Sequence, residues 1–116
     1  MPRILAVDVG TSSVRAQIFA ADLQEHGPAR REYPGENDPA RLVALVRETI
    51  EEAAGGGEYD AVGVSCFGHS LLALDERGRP LTPILGWRDT RSAAAAEQLG
   101  RELGAEAVHE IGRAHV

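Results

Sequence analysis

The stretch Ile4-Leu5-Ala6-Val7-Asp8-Val9-Gly10-Thr11-Ser12-Ser13-Val14-Arg15, followed by Ala16-Gln17-Ile18-Phe19, decides how the rest of this chain is read. Arg3 to Val9 is an apolar run too short for a helix and closed by a small-residue turn, which suits a buried strand, and Val14 to Ala20 follows as its hairpin partner. In the turn, Gly10 lets successive backbone N–H groups converge on an anion, while the hydroxyls of Thr11 and Ser12 and the guanidinium of Arg15 add donors. The stretch therefore reads as a phosphate-holding turn between two strands.

Two other readings share these residues. Gly10-Thr11-Ser12 is also an ordinary tight hairpin turn, with Asp8 accepting a hydrogen bond from it. Asp-x-Gly-Thr after an apolar strand also resembles the active-site turn of aspartic proteases, where paired carboxylates share a proton to activate water. The remainder of the chain has to choose among the three.

At 116 residues the chain is the size of one small domain, and a domain of that size buries about 65% of its unfolded surface. Its 43% apolar and 26% charged residues are those of a globular protein, and no apolar run approaches a membrane span. The start, Met1-Pro2-Arg3-Ile4, enters a strand pattern directly, without the regions of a signal peptide, so a cytoplasmic location is expected. A formal charge of −6 and scattered arginines argue against nucleic-acid binding. The basic residues are all Arg, which excludes a Walker-type phosphate loop and a Schiff-base lysine. Any phosphate is therefore left to arginine and backbone. Cys66, inside Val62-Gly63-Val64-Ser65-Cys66-Phe67, reads as a buried, inert thiol, and His26, His69, His109 and His115 are too scattered for a metal site.

Taken in order, Leu23 to Tyr33 is a weak third strand broken by Gly27-Pro28. Asp38-Pro39 starts a helix, in which Leu42, Val43, Leu45, Val46, Ile50, Ala53 and Ala54 recur at helical spacing up to the Gly55-Gly56-Gly57 stop. Tyr59 to Phe67 reads as a fully buried strand. Leu71 to Leu74 and Leu81 to Leu85 flank a polar turn and form a hairpin. After Trp87, Asp89 or Thr90 caps a helix through Ala93 to Leu103. Strand, hairpin, helix, strand is an α/β order. Two helices in so short a chain argue strongly against the almost entirely β protease, which stays a remote alternative.

The opening stretch resembles the amino-terminal phosphate motif of the FGGY carbohydrate kinases, of the actin, hexokinase and Hsp70 ATPase superfamily. A second block strengthens the resemblance: Tyr59-Asp60-Ala61-Val62-Gly63-Val64-Ser65-Cys66-Phe67-Gly68-His69-Ser70-Leu71, then Asp75 to Leu81 and Leu85-Gly86-Trp87-Arg88-Asp89-Thr90-Arg91, is similar to the family's sugar-side segment. The similarity runs from residue 3 to 109, with the gluconokinase-like branch nearest through His69-Ser70-Leu71 and Trp87-x-Asp89-Thr90-Arg91, and xylulokinases close behind. The resemblance implies an RNase H-like α/β domain, a mixed sheet with flanking helices, present here as an incomplete first domain. It implies ATP and Mg²⁺ as cofactors and transfer of the γ-phosphoryl to a hydroxyl of a small-molecule sugar or sugar acid.

Carried over residue by residue, Asp8 would orient Mg²⁺ through its water shell, Gly10, Thr11 and Ser12 would donate to the phosphoryl group, and Arg15 would add charge-assisted hydrogen bonds. On the sugar side Gly68 would permit close approach, His69 would pair with a hydroxyl, and Trp87 would offer an apolar face beside Asp89 and Arg91. The alternatives for those last three are a core tryptophan, a capping aspartate and a solvated arginine.

The family's catalytic base and adenosine-binding segments have no counterpart in these residues, so no catalytic residue is assigned and the fragment itself is expected to be inactive. A missing C-terminal domain of the same chain is the implied partner, with a homodimer of the full-length protein as a further assembly. Glu110 to Val116 resembles translated library-adapter sequence, so residues 1–109 are read as the kinase part and 110–116 as a non-native tail left by truncation. The alternative in a different class is a non-catalytic binding module or stray fragment.

Overall fold

The alternation of the first strand sends Leu5, Val7 and Val9 to one face, and all three are buried in the computed structural model, which describes residues 2–22, 25–33, 35 and 37–113. Strands β1 (Arg3–Val9), β2 (Ser13–Ala20), β3 (Glu25–Glu32) and β4 (Ala61–Cys66) form one sheet in the order β3-β2-β1-β4. β1 pairs antiparallel with β2, β2 antiparallel with β3, and β1 parallel with β4, so the sheet is mixed, as expected.

Helix α1 (Pro39–Ala54) covers the face made by β1, β2 and β3. Its start follows the expected chemistry: the Asp38 carboxylate accepts from the N–H groups of Ala40 at 2.9 Å and Arg41 at 3.3 Å, and Pro39 opens the first turn. Gly55, in the left-handed region at φ 55°, ends it. Leu42 and Ala53 enter the core with Val14, Ala16 and Ile18 of β2. Burying a side chain such as Leu5 or Ile18 contributes roughly 1.5–3 kcal/mol. Thr49 is also fully buried, its hydroxyl donating to the Leu45 carbonyl at 2.6 Å, so no polar group is stranded there.

Gly27-Pro28 does not break the third strand. The register passes from Ala16↔Ala29 to Ile18↔His26, a bulge in an edge strand, where a proline without an N–H is tolerated.

Three expectations are corrected. β4 is not fully buried; every one of its residues is exposed, because α1 reaches the other strands but not β4 and no described residue covers it. Cys66, at its end, is accordingly an exposed thiol and not a buried one. Helix α2 (Ala93–Leu103) is capped neither by Asp89 nor by Thr90: Ser92 occupies the N-cap without a side-chain bond, since the Asp89 carboxylate is taken by Arg91.

A third helix, α3 (Ala105–Arg113), follows Gly104 and crosses residues 109 and 110 without a break. Among the named elements α2 and α3 pack only on each other. The Cα radius of gyration is accordingly 18.3 Å, where a compact domain of this length has about 13 Å. Between β4 and α2, bridges at Leu71↔Leu85 and Leu74↔Pro80 form the expected hairpin. No helix among the described residues is long and apolar enough to cross a membrane.

Candidate functional site

Parallel pairing of β1 with β4 brings the carboxyl ends of both strands to one edge of the sheet, the edge where open α/β sheets bind ligands. The Phe67 N–H continues that ladder, donating to the Val9 carbonyl at 2.9 Å, so the turn after β1 and the Gly68-His69-Ser70 loop after β4 lie side by side. A bond from the Ile84 N–H to the Asn37 carbonyl, 2.8 Å, ties the hairpin to the entry of α1 and delivers the segment from Gly86 to Arg91 to the same edge.

The turn is closed from within and held from outside. Inside it, the Gly10 N–H donates to the Ser13 carbonyl at 2.9 Å, so this amide, expected to face a phosphoryl group, is engaged in the turn itself. From outside, Tyr33 grips it twice: its N–H donates to the Ser12 carbonyl at 2.8 Å, and its hydroxyl donates to the Gly10 carbonyl. Tyr33 is only 4% exposed. Burial raises its phenol above the usual tyrosine range, with the neighbouring Cys66 and Asp8 adding to the effect. Sequence reading did not single out Tyr33, because an aromatic residue at the end of a weak strand carries no motif of its own.

Three concave regions receive the expected residues. Thr11 and Ser12 share a cavity of about 630 Å³ with Tyr33, Trp87, Arg88 and Asp89, joining the turn after β1 to part of the second block. His69 and Arg91 line an adjoining cavity of about 410 Å³ together with Trp87 and Asp89, which border both. Asp8 and Arg15 instead line a third, shallow hollow with Gln17 and Ser65, on the sheet face away from α1. Gly10 and Gly68 line none of the three.

The side chains of the second block are arranged by local contacts. Trp87 is 61% exposed and so is no core residue; the Arg88 guanidinium stacks on its ring, 4.9 Å from the centroid. Asp89 accepts from the Arg91 guanidinium and from the Arg91 N–H, each at 2.9 Å, and these bonds hold its carboxyl below the usual range. His69 is the one described non-glycine residue with a positive φ, 55°, a conformation histidine adopts more readily than most. A Cβ added to Gly68 would meet nothing within 4 Å, leaving that side of the loop open to a ligand.

Asp8 suits a hydrated divalent cation. Its carboxylate is half exposed, and its ion-pair partner Arg15 stands 3.9 Å away. Among the described residues no cluster of three or more His, Cys, Asp or Glu could build a cage around a bare ion. One carboxylate that leaves several waters in place matches the preference of Mg²⁺.

Comparison with known proteins draws these observations together. Residues 3–116 match the N-terminal domain of the FGGY family of carbohydrate kinases. The chain belongs to this family. FGGY membership agrees with the resemblance in both sequence blocks and gives the Asp8-Val9-Gly10-Thr11 turn a home outside the proteases. A glycerol kinase from Gluconobacter oxydans is 35% identical over 118 residues, which cover 90% of this chain and 23% of that protein. A xylulose kinase from Streptomyces coelicolor is 36% identical over 104 residues, covering 88% of this chain and 20% of that one. The crystal structure of a gluconate kinase from Lactobacillus acidophilus superimposes with a TM-score of 0.83 at 21% identity, covering 94% of this chain and 24% of that one. That similarity shows a shared fold, the mixed sheet with flanking helices. The FGGY chain described here thus spans about a quarter of the length of the relatives it matches.

Proposed function

We propose that residues 1–109 are the amino-terminal part of an ATP-dependent kinase that phosphorylates a hydroxyl of a small sugar or sugar acid, with a gluconokinase-like substrate favoured. The observation that carries this reading is the cavity shared by Thr11 and Ser12 of the phosphate turn with Trp87 and Asp89 of the second block. A site for phosphoryl transfer needs a phosphate-holding surface and an acceptor-holding surface within reach of each other, because positioning supplies most of the catalysis.

In this reading Thr11 and Ser12 hold the phosphoryl group, Asp8 holds Mg²⁺ through water, and Arg15 adds positive charge near the phosphates. Bound Mg²⁺ neutralises charge on the phosphate oxygens. Gly10 serves by its lack of a side chain, since its N–H is occupied within the turn and a Cβ there would stand 3.2 Å from the Ser13 carbonyl oxygen. The acceptor lies against Trp87 with its hydroxyls toward His69, Asp89 and Arg91, and open space beside Gly68 lets it approach. No residue of this chain is assigned as the base that deprotonates the acceptor. That group and the adenosine site belong to the remainder of a longer protein, so residues 1–116 alone are inactive. The working enzyme is cytoplasmic.

Assay of the full-length gene product with ATP and Mg²⁺ against gluconate, xylulose and glycerol tests the reading. Phosphorylation of one of them is expected, and no turnover on any polyol sinks it. Robust turnover by purified residues 1–116 overturns the assignment of the base to another part of the protein.

A further inference from the structure

We infer that Tyr33 is a positioning residue for phosphoryl transfer, a two-point clamp that sets the shape of the Gly10-Thr11-Ser12 turn; this rests on the kinase reading of the site. The turn lies between two strands, but neither strand holds its tip. The single bond inside the loop, Gly10 N–H to Ser13 carbonyl, closes its base and leaves the Gly10 and Ser12 carbonyls pointing outward. Both carbonyls accept from one residue: the Tyr33 N–H donates to the Ser12 carbonyl and the Tyr33 hydroxyl donates to the Gly10 carbonyl.

A peptide plane is rigid, so fixing a carbonyl also fixes the N–H on the other side of the same peptide bond. Anchoring the Gly10 carbonyl therefore aims the Thr11 N–H, and anchoring the Ser12 carbonyl aims the Ser13 N–H. Tyr33 can act this way because it is itself held. It follows β3 directly, and its ring is buried among core residues. Its hydroxyl works where water competes little, which strengthens the bond. Thr11 and Ser12, by contrast, are exposed and border the same cavity as Tyr33, so the clamp stands behind the groups that meet the phosphoryl. Donors fixed in advance stabilise developing charge without reorganisation at the moment of transfer, and a loose turn would lose that advantage.

Tyr33→Phe in the full-length enzyme is the test, since it keeps the ring and removes the hydroxyl. A roughly tenfold lower kcat is expected, with the KM for the polyol substrate unchanged within twofold. Exchange of the Gly10 amide, which is bonded within the turn, should quicken about tenfold while that of residues 49–53 in α1 stays as in wild type. A purely structural tyrosine would speed exchange in both places and leave kcat intact in the folded fraction. A kcat within twofold of wild type, or kcat and KM moving together, overturns the inference. Should the variant not accumulate in folded form, exchange in the wild-type protein decides: a Gly10 amide that exchanges as fast as in an unstructured peptide rules the clamp out. A wild-type enzyme active on a polyol but indifferent to Tyr33→Phe defeats the clamp alone. A wild-type enzyme active on none defeats the kinase reading and the clamp's catalytic role with it.

Discussion

Asp8 and Arg15 face each other across the β1–β2 ladder as register partners, with Oδ2 and Nη1 3.9 Å apart. Both side chains are about half exposed, at 50% and 57%, so the pair adds at most about 1 kcal/mol to stability. In the proposed site both charges act on the ligand. We predict that Asp8→Asn in the full-length enzyme lowers kcat by about 10²-fold or more, the scale of losing a preorganised electrostatic group, and leaves the melting temperature nearly unchanged. Steady-state kinetics across a Mg²⁺ titration measures it. A loss below tenfold at every Mg²⁺ concentration counts against the assignment of Asp8.

Gly27 sits at the bulge of β3 with φ 60°, and a Cβ there would overlap the carbonyl oxygen of Ala53 at the end of α1. Gly27→Ala is expected to destabilise the protein by about 1–3 kcal/mol through left-handed strain and collision together. Gly56 has φ 76° but nothing within 4 Å, so Gly56→Ala carries only the conformational part and should cost less. Thermal unfolding of the two variants side by side measures the difference, and equal losses would refute the close approach as a cause.

Asp38 satisfies two N–H groups at the start of α1. Asp38→Ala should cost about 1 kcal/mol, and Asp38→Ser should recover most of it, because serine caps nearly as well. The same unfolding measurement reads this, and no recovery by serine would point to another role for the carboxylate.

The bonds from Arg91 hold the Asp89 carboxyl below its ordinary range. The sign follows from linkage: a carboxyl whose folded pKa is depressed adds stability above its unfolded value and loses it as pH falls through the folded one. Asp89 should therefore stay ionised to lower pH than a free aspartate, with the Asp89–Arg91 contact opening only in the acid range. Arg91→Gln should move its titration up toward the ordinary range. Carbon-detected NMR titration of Asp89 gives both values, and identical midpoints in the two proteins would contradict the pairing.

Val62 and Val64 of β4 are 50% and 67% exposed, and Leu71 and Leu81 in the following hairpin are 67% and 66% exposed. Apolar surface left open on this scale drives association. Residues 1–116 alone should bind a hydrophobic dye and self-associate on size-exclusion chromatography, and Val64→Lys should reduce both. A sharp, reversible thermal transition at monomeric mass would argue against it.

The strands and α1 were legible because their causes are local. Periodicity, the Asp38-Pro39 start and the Gly55 stop all act within a few residues, and the β1–β2 hairpin and α1 stand where they were expected. The errors fell where neighbours decide. The apolar content of Val62 to Phe67 announces a strand that wants cover, yet whether cover is present depends on where α1 lies, and α1 stops short of β4. The Asp89 carboxylate could serve a helix cap or a guanidinium, and the nearer Arg91 took it.

By itself the sequence determined the α/β class, the small-residue turn after the first strand and the second block, since each is written in adjacent residues. Only the tertiary structure decided which of those residues share a surface. Parallel pairing of β1 with β4 placed Thr11 and Ser12 in the same cavity as Trp87 and Asp89, while Asp8 and Arg15 line a separate hollow. It also brought Tyr33 onto the turn from a strand whose own sequence pattern was weak. The physical reason is that a hydrogen bond across the fold depends on how separate strands are laid together, and strand spacing along the chain does not encode that distance.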